Sequence, residues 1–289
     1  MLFKNAMLNY EEYIKFRNLS QSTINGYRKE LKYLLEYLEK IKITPIYLDK
    51  LTFKDLESYI KYKKENGSEL VSINRSISII KGFFIFLESR GIINANPSHQ
   101  IETYRIINRP EREVLTEEEI ETLIENINNC TVRYAVKTMA NTGLRISELT
   151  NLKLEDVDFK NKVIKVIDGK GGKNRLIPIN TALYEDLKRY LEEIRPQGKS
   201  NYFFATKQTG RLSRQWTNIN IKKTINELNW DIDITSHNLR HSFATNLINN
   251  NANIVAVQKL LGHNDLRTTS IYLHQSINEL HDAVNLLCR

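Results

Sequence analysis

Cysteine is almost missing from this chain, with two among 289 residues, Cys130 and Cys288. Neither stands at metal-ligand spacing from another soft ligand. A disulfide framework and a cysteine-built metal site are therefore excluded, and a reducing cytosol is the fitting compartment. Five prolines and 11 glycines leave no material for a long low-complexity linker. The opening MLFKNAMLNYEEY lacks an apolar h-region, and no apolar run is read as approaching the length of a membrane span. The expectation is a cytoplasmic protein without leader or anchor. No internal repeat is found, and no acidic block marks a regulatory tail.

What is present suits a soluble protein of two domains, with 41% hydrophobic and 26% charged residues. The net charge is +8, spread as +5 over residues 1–108 and +3 over the remainder. A basic balance in both halves fits a polyanionic partner such as DNA or RNA.

The expected fold is mainly α (α+β), with an N-terminal helical bundle over residues 1–100, a linker over 101–112 and a mostly helical second domain over 113–289. In the bundle, Ile24, Tyr27, Leu31, Leu34, Leu35 and Leu38 form an amphipathic stripe over 22–40, which Ser20 or Ser22 can cap. A second helix is expected from Thr52, its candidate cap, to Asn66 before Gly67, and a third from Ser68 to Arg90. Ile77, Ile80, Phe84 and Leu87 share a face of the third, with Arg75 and Lys81 elsewhere on its surface. Residues 92–112 lose periodicity and carry Arg105, Arg109 and Arg112. Two readings stand for them, a segment along a phosphate backbone and a solvated connector.

Thr116 and Glu119 form a capping box. Helices are expected from Thr131 to Asn141, broken by Gly143, and from Ile146 to Leu152. Three short strands follow at Val157–Phe159, Val163–Ile167 and Arg175–Ile179, forming a small antiparallel sheet. A glycine-rich hairpin tip, Gly169–Asn174, joins the last two. Helices resume after it, and one should end near Asn249–Asn251, where Asn tolerates the left-handed conformation.

The chemistry lies in a few spacings. Arg145 sits at a helix start, where a cation opposes the helix dipole but where an anion would gain from both dipole and guanidinium. The plain alternative is a surface pair with Glu148 at i+3. Ser236 can cap a helix that puts His237 and Arg240 in its first turn on one side. His237 and His241 have the i, i+4 spacing of a zinc pair, but Asn238 stands where a zinc protease has Glu, and Arg240 would repel a metal, so zinc is set aside. Lys170 lies between glycines, which allow close approach to a ligand. The tip lacks a GKS or GKT ending, so no P-loop and no nucleotide cofactor follow. Tyr272 is one of 14 tyrosines. Among cations its phenol becomes a usable nucleophile, two arginine forks and His donors stabilise charge on a phosphodiester, and a lysine supplies the leaving oxygen's proton.

Together these segments resemble the tyrosine recombinase (phage integrase) family, and its Xer-like members in particular. TGLRISELTNLKLEDVD looks like the first box, GKGGKNRLIPI like the strand pair with its lysine, and HNLRHSFATNLI with LLGHNDLRTTSIYLH like the second box and nucleophile segment. Residues 1–100 look like the family's core-binding domain, so the resemblance covers nearly the whole chain. Asn251, where relatives often have Gly, is a departure that touches no catalytic position.

The resemblance implies that Arg145 and Arg240 clamp the scissile phosphate, Lys170 is the general acid, His237 assists proton transfer, His263 hydrogen-bonds the phosphate and Tyr272 forms a 3′-phosphotyrosine. His241 and Glu148 would be supporting residues. Arg75, Lys81, Arg109, Lys173 and Arg214 are candidate DNA contacts. No metal, ATP or other cofactor is implied. The implied partner is duplex DNA with an inverted-repeat site, two such sites being held by four copies of the chain or by this chain with a partner recombinase, and strand exchange would pass through a Holliday junction. A C-terminal segment with Leu280, Val284 and Leu287 on one face would dock on a neighbouring protomer or on its own chain. A type IB topoisomerase-like strand transferase and a non-catalytic DNA-binding protein of the same fold are the competing readings. The role could be chromosome-dimer resolution or element integration and excision. The compact length favours a simple Xer-like enzyme.

Overall fold

The computed structural model describes residues 1–106, 113–167 and 174–262. Contacts divide the chain into two compact units, Met1–Pro110 and Glu111–Arg289. The expected tip lysines Lys170 and Lys173, the linker's Arg109, and His263, Tyr272 and the C-terminal helix all lie outside the described residues.

The first unit is helical, as its patterning requires. α1 (Phe3–Phe16) buries Phe3, Ala6, Tyr10 and Ile14, a 3–4 spacing that was not singled out as an element in the sequence. α2 (Gln21–Ile41) starts at Ser20, whose hydroxyl accepts from the Thr23 N–H, and it buries Ile24, Leu31, Leu34 and Leu38. α3 (Phe53–Glu65) is capped by Thr52 with Asp55, and the chain leaves it through Gly67 in the left-handed region. α4 (Leu70–Ser89) is apolar around most of its circumference and buries nine residues, among them Ile73, Ile77, Ile80, Phe83, Phe84 and Leu87. The reading that no apolar run approaches membrane length is thus corrected, because α4 is long and apolar enough to span. Half of it is buried inside its own unit, the behaviour of a core helix.

A polar network crosses this core. Lys63 Nζ donates to Glu30 at 2.8 and 3.0 Å and to Ser76 Oγ at 2.7 Å, while the Tyr59 hydroxyl donates to the same carboxylate. It ties α2, α3 and α4 together, and every charge in it has a partner, as burial demands.

In the second unit, α5 (Glu117–Asn126) begins with the Thr116–Glu119 capping box. α6 (Cys130–Thr142) runs through the core, burying Val132, Ala135, Val136 and Met139. α7 (Ile146–Asn151) is a short helix. The sheet then follows as β1 (Val157–Asp158), β2 (Val163–Val166) and β3 (Arg175–Pro178), antiparallel in that order. Its register pairs Ile164 with Ile177 and Val166 with Arg175. Ile164 and Ile177 face the core, and Pro178 is tolerated because β3 is an edge strand. α8 (Thr181–Arg189), α9 (Arg214–Glu227), α10 (Ser236–Asn249) and α11 (Ile254–Leu261) complete the described unit. Asn251 ends the α10 segment with φ 60°, the left-handed value expected there.

The start of α10 differs from expectation. Thr235, not Ser236, is the cap: Asn238 Oδ1 accepts from both the Thr235 N–H and its hydroxyl, at 3.1 and 2.8 Å. Ser236 is the first helical residue, and its N–H donates to Asn218 of α9.

Candidate active site

α6 stops at Gly143, which takes φ 62°. A Cβ there would stand 2.5 Å from the Phe243 ring and 3.0 Å from Leu261, so both conformation and packing require glycine. The turn places Arg145 at the N-cap of α7. The helix dipole is no argument against the cation here, because Glu148 in the first turn answers it. Glu148 accepts from the Arg145 N–H at 2.8 Å and from Arg145 Nη1 at 2.7 Å. The i+3 pairing weighed in the sequence is therefore present, but it belongs to a larger cluster.

Arg175, at the start of β3, completes that cluster. Its Nη1 and Nη2 donate to the two oxygens of Glu148 at 3.0 and 2.8 Å, and its Nε donates to the Leu260 carbonyl at 2.8 Å. Arg240 of α10 is only 4% exposed and donates to the carbonyls of Gly143 and Leu261. Arg145 Nη2 lies 3.5 Å from the Gly262 carbonyl. Three arginines thus address three consecutive carbonyls, of residues 260, 261 and 262. These are orphan acceptors at the C-terminal, negative end of α11. Gly262 ends that helix with φ 63°, and a Cβ on it would press on Arg175 at 3.2 Å.

Arg145 and Arg240 are brought together by this arrangement. His237 is exposed on the first turn of α10, whereas Arg240 and His241 are buried, so His237 and Arg240 share a helix but not an environment. Ser242 fixes the other side of α10, accepting from the Leu115 N–H at 2.9 Å. Of the candidate DNA contacts, Arg214 is the exposed first residue of α9, and Arg75 and Lys81 lie on α4, the first exposed and the second half-buried. The Arg75 guanidinium lies against Gly26 of α2, where a Cβ would come within 2.8 Å of it.

Arg175 and Gly262 carried no role in the sequence reading. Arg175 left one trace, a cation in the same strand register as the core residue Ile177, which demands a buried partner.

Burial pushes the Glu148 carboxyl up, but the Arg175 fork, the Arg145 N–H and the Arg175 charge outweigh it and hold the group at about 2, against an ordinary 4.5. A carboxylate held below its unfolded value stabilises the fold above that value, and the stabilisation fades as pH falls toward the folded one. The window runs from pH 4.5 down to about 2. The contribution is about 3 kcal/mol. In urea unfolding between about pH 6 and pH 3, wild type is expected to lose more stability than Glu148→Gln. Glu11 and Asp158 are also held low and titrate in both proteins, so the difference isolates Glu148. Parallel losses would refute the assignment.

The chain resembles known proteins over nearly its whole length. Residues 113–279 match the model of the phage integrase family, and residues 8–91 match that of the phage integrase N-terminal SAM-like domain. The chain is 36% identical over 288 residues to the tyrosine recombinase XerD of Staphylococcus saprophyticus, covering 95% of this chain and 96% of that protein. It is 30% identical over 287 residues to the tyrosine recombinase XerC of Oceanobacillus iheyensis, covering 95% and 92%. The solved XerH site-specific recombinase bound to its difH substrate superposes with a TM-score of 0.71 at 26% identity, covering 93% of this chain and 80% of that one.

The class is that of enzymes carrying out site-specific recombination of DNA. Within it, the chain belongs to the phage integrase family of tyrosine recombinases, and it is Xer-like.

Proposed function

We propose that the chain cleaves and rejoins DNA through a covalent 3′-phosphotyrosyl intermediate on Tyr272. The observation that supports this most directly is the convergence of Arg145 and Arg240 on neighbouring carbonyls at one helix end. Those bonds fix the two guanidinium planes before any substrate arrives. Preorganised donors stabilise charge that develops on non-bridging oxygens without reorganising during the reaction. In the proposed step the Tyr272 Oη–phosphorus bond forms and the phosphorus–O5′ bond breaks. Lys170 delivers the proton that makes the leaving group a 5′-hydroxyl. The phenolic proton leaves Tyr272 as its bond to phosphorus forms, with His237 assisting that transfer, and His263 hydrogen-bonds the phosphate. The phosphotyrosyl ester conserves the bond energy, so rejoining is the reverse attack by a 5′-hydroxyl and needs neither ATP nor a metal ion.

The substrate in this reading is duplex DNA with an inverted-repeat site, contacted by the two basic units, with Arg75, Lys81, Arg109, Lys173 and Arg214 as phosphate or base contacts. Four protomers, of this chain alone or with a partner recombinase, exchange strands through a Holliday junction in the cytoplasm. Similarity to both XerD and XerC proteins over nearly the whole chain favours a simple two-domain recombinase acting in chromosome-dimer resolution, with element integration and excision as the second possibility.

A nicked suicide duplex carrying a candidate inverted repeat tests the reaction. An SDS-stable protein–DNA adduct is expected, with the DNA mapped by peptide mass to Tyr272. Recombinant products from paired sites should accompany it. Relaxation of supercoils without recombinants would instead mark a topoisomerase-like transferase. Tight binding with no adduct would mark a binding protein.

A further inference from the structure

Arg175 stands outside the roles proposed above, yet it is firmly anchored in the cluster. Its side chain is 11% exposed, and three of its donors go to Glu148 and the Leu260 carbonyl. All three of its guanidinium nitrogens are engaged by these two partners. We infer that Arg175 is a positioning residue for cleavage, which holds Glu148 so that Arg145 stays aimed at the scissile phosphate, and which fixes the end of α11 through Leu260. The inference rests on the recombinase reading above.

The geometry explains why a fork is needed. Glu148 has two oxygens, and Arg175 addresses both, while Arg145 places its side-chain Nη1 on Oε1 and its backbone N–H on Oε2. With Arg175 in place, the carboxylate cannot turn to close a two-pronged pair with Arg145. Without it, a bidentate pair is the favoured geometry between one arginine and one carboxylate. The Arg145 guanidinium would then be drawn toward Glu148 and away from an incoming anion. Charge points the same way: Arg145, Arg175 and Arg240 against Glu148 sum to +2, and removal of Arg175 halves that. Gly262 belongs to the device, because any side chain there would press on Arg175.

Single-turnover adduct formation by Arg175→Gln and Arg175→Lys proteins tests this, on two nicked substrates: a normal phosphodiester and one with a neutral methylphosphonate at the scissile position. With the phosphodiester, Arg175→Gln is expected to slow adduct formation by roughly 10²-fold, the scale of a misaimed catalytic group. Lysine brings the cation without the planar fork, so Arg175→Lys should fall between glutamine and wild type. With the methylphosphonate there is less anionic charge for Arg145 to meet, and the deficits should shrink to within about tenfold.

A deficit of equal size on both substrates would show a general structural role and overturn the inference. Wild-type rates in Arg175→Lys would overturn the need for the fork. Should Arg175→Gln fail to fold, the Arg175→Lys comparison across the two substrates decides by the same criterion. A wild-type protein that forms no adduct on the phosphodiester would sink the recombinase reading itself, an outcome distinct from failure at Arg175.

Discussion

Tyr272→Phe protein is expected to bind an inverted-repeat duplex as tightly as wild type and to form no covalent adduct with it. The substitution removes one oxygen and keeps the ring, so the change in DNA contact is small. The change in chemistry is total, because no phosphorus–oxygen bond can form at a phenyl ring. Adduct formation should fall by about 10⁴-fold or more, equivalent to over 5 kcal/mol of barrier. The chain has 14 tyrosines, so persistence of an adduct would transfer the role to another. Three are poor substitutes. Burial pushes the phenols of Tyr10 and Tyr59 well above their ordinary value and that of Tyr190 up to about 12, and a buried phenol reaches no duplex. Gel shift and denaturing gel on one nicked substrate separate the two readouts. Loss of binding along with cleavage would make Tyr272 a structural residue, and retention of the adduct would end the assignment.

Much of the scaffold was legible because local signals set it. Thr52 and Thr116 cap the helices they were expected to cap, Ser20 rather than the alternative Ser22 caps α2, and the three strands fall within one residue of their expected ends. The error at Ser236 came from two hydroxyls in sequence. Either can cap, and the choice went to Thr235, whose extended backbone and Asn238 partner form the box. α1 was overlooked although Phe3, Ala6, Tyr10 and Ile14 carry the right period, and α4 was read with one face of Ile77, Ile80, Phe84 and Leu87 where nine of its residues are buried against α1, α2 and α3.

The cluster itself was legible only in part. Arg145 and Arg240 were picked out by motif spacing, and the pairing of Arg145 with Glu148 followed from i, i+3 geometry. Nothing local announces that Arg145 meets a carbonyl 117 residues away, or that Arg175 meets one 85 residues away. Those contacts are made by the packing of α6, α10, α11 and β3. The glycines are the nearest thing to a trace of them. Gly143 and Gly262 both need positive φ, and at both a methyl group would strike the packing that brings the arginines in.

Arg240→Ala is expected to damage fold and chemistry together, and by separable amounts. The Arg240 side chain joins the end of α6 to the end of α11 by donating to the Gly143 and Leu261 carbonyls. Alanine leaves both acceptors in a dry interior. An orphaned buried carbonyl costs about 1–3 kcal/mol, so a loss of roughly 2–5 kcal/mol in urea unfolding is expected. Lysine would not restore it, because a single ammonium on a flexible stem cannot hold two carbonyls in one plane. The chemical loss comes on top. Taking one fork from a clamp on a phosphoryl transition state costs on the order of 10²–10³-fold in rate, and arginines that meet developing phosphoryl charge reach about 10³–10⁵. DNA affinity should change far less, since one phosphate contact among many is lost and the salt dependence falls by about one charge. Cleavage measured well below the unfolding midpoint separates the terms: folded Arg240→Ala protein that binds DNA should still cleave at least about 10³-fold more slowly than wild type. If the folded variant cleaves normally, Arg240 is only a strut between two helix ends, and the phosphate is held by other donors.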